Sequence, residues 1–308
     1  MSFSLCYDYS QTFLEMKRFI LISGFGKSGS SAVGDRLAEY AGISRVPREF
    51  KILSRSGIYR ILSATDKIRM FIAALKGIKR LAMNRLKWPI TRFAPRAISN
   101  KTERLHFLDL LTLVYLFAFI SALPFMKRGS VVAYWKKYLN VVISRLAANE
   151  IVILDQPAVL FLSRSSLDIF DDYVSVVVHR NVKDQVYEHL SRTGMFDEKS
   201  ITITIESVQN KIERLQGCSL FSHEFVDYDS FVRDPRIADE IILNKFACLK
   251  LDSVIKQKRF IQTQALEKIG IGEQLDKYLS FSEKQKLLEV ERLRLQAFCN
   301  NVSELDTN

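Results

Sequence analysis

Three groups of residues in this chain have the types and spacing to work on an anion. The first is Gly24-Phe25-Gly26-Lys27-Ser28-Gly29-Ser30-Ser31, where one full positive charge sits among small residues and hydroxyls. The second is Arg180, directly after the β-branched run Val176-Val177-Val178 and His179. The third is a pair of carboxylates, Glu49 in Val46-Pro47-Arg48-Glu49-Phe50 and Asp155 in Leu154-Asp155-Gln156-Pro157. Lysine, arginine and converging backbone N–H groups hold phosphate or a close analogue of it. A carboxylate at the same place can take a proton from an acceptor hydroxyl. Together they predict group transfer from a phosphate-bearing donor. Metal chemistry has no comparable signal. Cys6, Cys218, Cys248 and Cys299 are scattered, with no CxxC and no neighbouring histidine, which argues against a zinc site or a disulfide framework and suits a reducing compartment. His106, His189 and His223 have no partners at ligand spacing and read as structural or surface residues.

These residues need elements to position them. Residues 18–24 read as a buried strand, and 32–40 as a helix that Gly42 ends. A strand, a tight Gly-rich turn and a helix N-terminus make an anion cradle to which the helix dipole adds positive charge. Further short strands are predicted at 151–154, 173–178 and 224–228, each followed by polar residues, as in parallel strands feeding helices. Apolar residues from Ile58 to Leu86 recur at three- and four-residue steps, which predicts an amphipathic helix or helix pair with Lys and Arg on its other face. Helices are also expected across 131–148, from Pro235 through Leu249, and over 282–298, with a frayed C-terminus. The alternation predicts an α/β chain with a mainly parallel sheet flanked by helices, forming one domain over 1–308. A helical insertion of about residues 45–150 is expected between the first and second sheet strands.

Charge singles out that insertion. The chain carries a net charge of +11, with 45 Lys and Arg against 34 Asp and Glu. Between Arg45 and Arg104 there are sixteen basic residues and three acidic ones, Glu49, Asp66 and Glu103. The rest of the chain is therefore close to neutral. Nucleic acid suits the charge, but no base-reading or stacking module accompanies it. An amphipathic basic face favours an anionic membrane surface or an anionic glycan, so peripheral membrane contact is expected through 57–126. Leu110 to Met126 is seventeen residues without a charge, the lower limit for a membrane span. A single crossing there would put Lys27 and Arg180 on opposite sides of the bilayer. A buried or interfacial helix is expected instead. The first residues lack a basic start and a long apolar core, so no signal peptide is read, and the expected location is cytoplasmic, peripheral at the inner membrane face.

The loop around Lys27 is not a Walker A loop, which requires G-x-x-x-x-G-K-[ST], because the position five residues before Gly26 is Leu21, inside the strand. Gly24 to Ser31 instead resembles the 5′-phosphosulfate loop of sulfotransferases that use 3′-phosphoadenosine-5′-phosphosulfate (PAPS), usually P-[KR]-[ST]-G-[ST]-[ST]. Val176 to Asp184 resembles that family's 3′-phosphate element, V-V-R-N-P-x-D. Val226 to Pro235 is similar to its Y-E-D-L-x-x-D-P stretch, and Lys268-Ile269-Gly270-Ile271-Gly272 is placed like its late Gly-containing loop over the nucleotide. The four elements stand in family order over roughly 18–285, with 50–150 unmatched, and the bacterial carbohydrate enzymes are the nearest type.

The resemblance implies a P-loop NTPase-like sulfotransferase fold, PAPS as co-substrate without a metal, and a carbohydrate or lipid-linked acceptor. By position, Lys27 would neutralise the leaving oxygens, Gly26, Ser28, Gly29, Ser30 and Ser31 would cradle the 5′-phosphosulfate, and Arg180 would bind the 3′-phosphate. Gly270 would belong to the covering loop. The family places a serine eight residues after this arginine, where this chain has Glu188; Ser191, one helical turn on, is the substitute. Val182 replaces the usual proline. Glu49 is the first candidate for the base, since some bacterial carbohydrate sulfotransferases carry P-x-E-[FY] there; Asp155 is the second and His179 the third. A nucleotide-dependent kinase or NTPase, and a non-catalytic membrane- or glycan-binding relative, are the competing classes.

Overall fold

The computed structural model describes residues 17–24, 27–46, 52–86, 100–147, 149–155, 164–216, 223–245 and 259–303. The first strand is β1 (Arg18–Gly24), followed by helix α1 (Ser30–Leu37) and the short strand β2 (Ile43–Arg45). Next come α2 (Ile52–Arg55), α3 (Ile58–Ser63), α4 (Lys67–Leu86), α5 (Asn100–Ala122), a 3₁₀ turn (Leu123–Phe125) and α6 (Arg128–Leu146). Strand β3 (Ile151–Asp155), helix α7 (Arg164–Leu167), strand β4 (Asp172–His179), and helices α8 (Val182–Thr193) and α9 (Glu198–Gln216) follow. The chain then forms β5 (Glu224–Asp227), α10 (Tyr228–Arg233), α11 (Arg236–Lys245), α12 (Gln262–Leu266), a 3₁₀ stretch (Ile271–Lys277) and α13 (Phe281–Ser303).

The five strands form a parallel sheet in the order β2-β3-β1-β4-β5, so the fold is α/β with helices on both faces, as the sequence predicts. Alternation along β1 explains the layers, because successive side chains point to opposite faces. Phe19 and Leu21 join Val152 and Leu154 in a core shared with α3 through α6. Ile20 and Ile22 join Ile153, Val176 and Val178 in a core under α1 and α10. Val177 packs into a third cluster with α8, α9 and α13. The basic helical insertion is thus built onto one face of the sheet.

One expectation needs correction. The insertion lies between the second and third strands, because residues 43–45 form an edge strand beside β3. The segment 57–87 takes the paired form of the expected amphipathic helices, α3 and α4, divided at Ala64–Asp66. The apolar stretch after Leu108 is the second half of α5, and Leu108, Thr112, Leu116, Phe119 and Leu123 turn inward and are buried. Thr112 Oγ1 lies 2.6 Å from the Tyr138 hydroxyl of α6. Trp135 of α6 packs nearby, with its ring centre 5.2 Å from Phe119 of α5 and 5.6 Å from Tyr138.

Candidate functional site

The site forms at the carboxyl edge of β1 and β4, where parallel α/β sheets bind ligands. The loop after β1 turns sharply: Lys27 has φ 67° and Gly29 φ 92°. Gly29 is required twice over, by its left-handed backbone and by a close approach, since a Cβ there would lie 2.0 Å from the Tyr228 ring. Gly29 precedes α1, and its carbonyl accepts from Ala32 N at 2.8 Å. The first N–H groups of α1 therefore face the loop's mouth. Gly26 and Glu49, both assigned from the sequence, lie outside the described residues.

Arg180 leaves the end of β4, and Asn181 then caps α8, its side chain accepting from Lys183 N and Asp184 N. The arginine is 1% exposed. Its Nη1 donates to Glu188 Oε2 at 2.7 Å, its Nη2 donates to the Lys268 carbonyl, and the guanidinium lies 4.9 Å from the Tyr228 ring centre. Asp184 holds the late glycine loop on α8, accepting from Gly270 N at 2.9 Å and Gly272 N at 2.7 Å. Arg192 Nη2 donates to Glu188 Oε1 at 2.8 Å. Asp184, Glu188 and Arg192 recur every four residues and so share one helix face, aimed at Arg180.

These elements enclose a cavity of about 450 Å³ lined by Lys27, Gly29, Ser30 and Ser31 from the loop, and by Arg180, Glu188, Arg192, Tyr228, Arg259 and Lys268 among others. Five of its lining side chains are cationic, and two, Asp35 and Glu188, are carboxylates. Burial, and then the charge of Arg192, pull the Lys27 amine below its ordinary pKa. Burial works to raise Glu188, but the Arg180 hydrogen bond and the nearby charges of Lys268, Arg180 and Arg192 outweigh it and hold the carboxyl below its usual range. The buried Ser28 Oγ and Arg180 Nε have no hydrogen-bond partner among the described residues. Donors without acceptors beside a cationic cavity fit an anionic ligand.

The sequence-assigned residues divide. Lys27, Gly29, Ser30, Ser31 and Arg180 come together around the cavity; Ser191 does not line it, because its Oγ is exposed and donates to Glu188 O at 3.1 Å. Gly270 is committed to Asp184, and its neighbour Lys268 faces the cavity instead. Asp155 sits beneath the loop, its Oδ2 accepting from Ser31 Oγ at 3.3 Å and lying 3.5 Å from Arg45 Nη2. His179 is drawn away: Nδ1 lies 2.7 Å from Arg294 Nη1 and 3.4 Å from Asp227 Oδ2. Burial and Arg294 lower its pKa to about 4, so it is neutral at physiological pH. Tyr228, Arg192 and Lys268 were not assigned from sequence; the four-residue recurrence 184-188-192 was the signal for Arg192. Among the described residues no three His, Cys, Asp or Glu side chains cluster to hold a metal ion.

No family model matches the chain, and no curated protein matches it. Solved structures do. The sulfotransferase domain of the Synechococcus PCC 7002 olefin synthase is 15% identical, with a TM-score of 0.45, over 90% of this chain and 93% of that one. Sulfotransferase STF1 of Mycobacterium tuberculosis is 14% identical, with a TM-score of 0.44, over 83% and 77% of the two chains. Sulfotransferase STF9 of Mycobacterium avium is 14% identical, with a TM-score of 0.41, over 83% and 69%. The residue assignments rest on the geometry of this site.

Proposed function

We propose that the chain is a sulfotransferase that moves the sulfuryl group of PAPS to a hydroxyl of a carbohydrate or glycolipid. The observation that carries this reading is Lys27 and Arg180 on the rim of one cavity, reached from strands β1 and β4, with Ser30 and Ser31 beside Lys27. Both cations line one nucleotide-sized cavity, with Arg180 Nη1 3.5 Å from the Lys27 carbonyl, and a pair of neighbouring cations suits a donor whose ribose carries two anionic groups. PAPS supplies an activated sulfuryl group whose bond to the 5′-phosphate breaks as the acceptor oxygen bonds to sulfur. Lys27 and the first N–H groups of α1 meet the negative charge that gathers on the leaving phosphate. Arg180, beside the same loop, holds the 3′-phosphate. The acceptor proton goes to Glu49; Asp155, already engaged by Ser31 and Arg45, positions the loop. The test is transfer of labelled sulfate from PAPS to a panel of glycans and glycolipids. Lys27→Ala is expected to lower the rate by about 10²-fold or more with an unchanged circular dichroism spectrum, and undiminished transfer would end this mechanism.

One observation favours a second reading. Ser31 Oγ beside Asp155 Oδ2 is the pairing that holds Mg²⁺ in nucleoside-triphosphate enzymes. Calorimetry separates the two: 3′,5′-adenosine bisphosphate binding without Mg²⁺ supports the sulfotransferase, and ATP binding only with Mg²⁺ supports the alternative.

A further inference from the structure

Helices α4 and α5 pack side by side in opposite directions. Lys67 Nζ at the start of α4 donates to the Pro124 carbonyl just beyond α5, and a Cβ at Gly77 in mid-α4 would lie 3.5 Å from Leu116 in mid-α5. From Leu108 onward the inner face of α5 is buried, but the outer face is not. Leu110, Val114 and Phe117 are 44, 57 and 57% exposed, and Phe125 just after the helix is 89% exposed. With the exposed Ala118 and Ser121 they form a face without a charge, at helical spacing. Helix α4 adds Ile68, Phe71, Ile72 and Leu75, all at least 40% exposed. Apolar surface on two neighbouring helices is more than scattered residues explain, and it marks an interaction site.

Charge says what covers it. Lys67, Arg69, Lys76, Lys79 and Arg80 of α4 are all exposed, and Asp66 is the only acidic residue between 52 and 86. An apolar helix face bordered by unbalanced Lys and Arg matches the interface of an anionic bilayer, where basic heads meet lipid phosphates and their aliphatic stems lie along the acyl boundary. We infer that the α4–α5 face seats the protein on an anionic membrane, with α5 lying in the interface rather than crossing it.

Topology excludes the crossing. Residues Leu108–Phe125 are long and apolar enough to span, with a mean hydropathy of 2.0, yet one-third of that window is buried inside the protein. Strands β2 and β3, on either side of the insertion, pair directly in one sheet. A single crossing by α5 would part them. The inference is independent of the chemistry at the cavity.

Sedimentation of the full chain with vesicles tests it, using phosphatidylglycerol–phosphatidylcholine mixtures and pure phosphatidylcholine at physiological ionic strength. Wild type is expected to pellet with the anionic vesicles and to be released by high salt. The double variant V114E/F117E is expected to weaken binding by about tenfold or more. The triple variant K76E/K79E/R80E alters only exposed polar positions, so it keeps the test sound should the apolar double fail to fold; it is expected to weaken binding at least as much. Wild type left in the supernatant with anionic vesicles overturns the inference. So does binding that high salt and alkaline carbonate fail to release, which would mean a spanning helix. Dimeric wild type that becomes monomeric in V114E/F117E, without vesicle binding, assigns the face to a second copy and overturns it as well.

Discussion

Glu188 occupies the cation that the proposed donor's 3′-phosphate would need, so Glu188→Gln is the sharpest perturbation of this site. The carboxylate lies 2.7 Å from Arg180 Nη1 and 2.8 Å from Arg192 Nη2. An anion binding at Arg180, even through the unpartnered Nε, must stand beside the Glu188 charge. At about 5 Å and an effective dielectric of about 20, that repulsion is about 3 kcal/mol for each unit charge. The Glu188 side chain is 12% exposed, and with counter-ions a realistic residue of the effect is about 1.5 kcal/mol, or about tenfold in Kd. Gln keeps the side chain's size and a hydrogen-bond acceptor. Arg180 also keeps Asp184 Oδ2 at 3.6 Å and the Lys268 carbonyl, so it is not left as a bare buried charge. Calorimetric titration with 3′,5′-adenosine bisphosphate is expected to show tighter binding by Glu188→Gln by about tenfold. Equal or weaker binding would refute the reasoning, for then either Arg180 does not meet the anion or Glu188 serves to hold it in place.

Other outcomes follow from the same geometry. Because burial and then the charge of Arg192 lower the Lys27 pKa, Arg192→Gln is expected to raise it in part and move the alkaline limb of kcat/KM to higher pH. An unmoved limb would separate that limb from Lys27. The Glu188 carboxyl is held below its usual range, so its ionised form contributes stability above the unfolded-state pKa, lost as pH falls through the folded one. Urea midpoints of Glu188→Gln are therefore expected to vary less with pH across that acidic window than those of wild type. Gly29→Ala combines a left-handed backbone, costing about 1 kcal/mol, with a Cβ 2.0 Å from the Tyr228 ring. Nucleotide binding is expected to fall by about tenfold or more and to recover in part with Tyr228→Ala. Trp135 is fully buried, and Trp135→Ala is expected to cost about 3–5 kcal/mol in denaturant titration with the cavity intact in the folded fraction.

Much of this site was legible because its residues are contiguous. Gly24 to Ser31 and Val176 to Arg180 each carry strand, turn and ligand in one short window, and each pattern survives without the rest of the chain. Strand β2 is three residues, Ile43-Ser44-Arg45, too few to show a period, and only the edge of β3 makes it a strand. Helix α9 escaped for a different reason. Ile201-Thr202-Ile203-Thr204-Ile205 alternates like a strand, and only the buried set Ile201, Ile205, Val208 and Ile212 shows helical spacing. The partners of Arg180 were half visible: Glu188 stood out as a departure from the serine pattern, while Tyr228 arrives from β5 through tertiary packing alone.

The position of β1 in the middle of the sheet also sets an order of assembly. Arg18 pairs with Ile151 on one side and with Asp172 on the other, so β1 depends on chain synthesised much later. Closing so long a loop is entropically unfavourable before it brings any contact. The insertion helices α3 to α6 share one core with Phe19 and Leu21 of β1 and with Val152 and Leu154 of β3. A fragment ending before Ile151 therefore lacks both neighbours of its own central strand. The loop that follows β1 is likewise completed by distant chain, since β4 flanks it and the Tyr228 ring packs against Gly29.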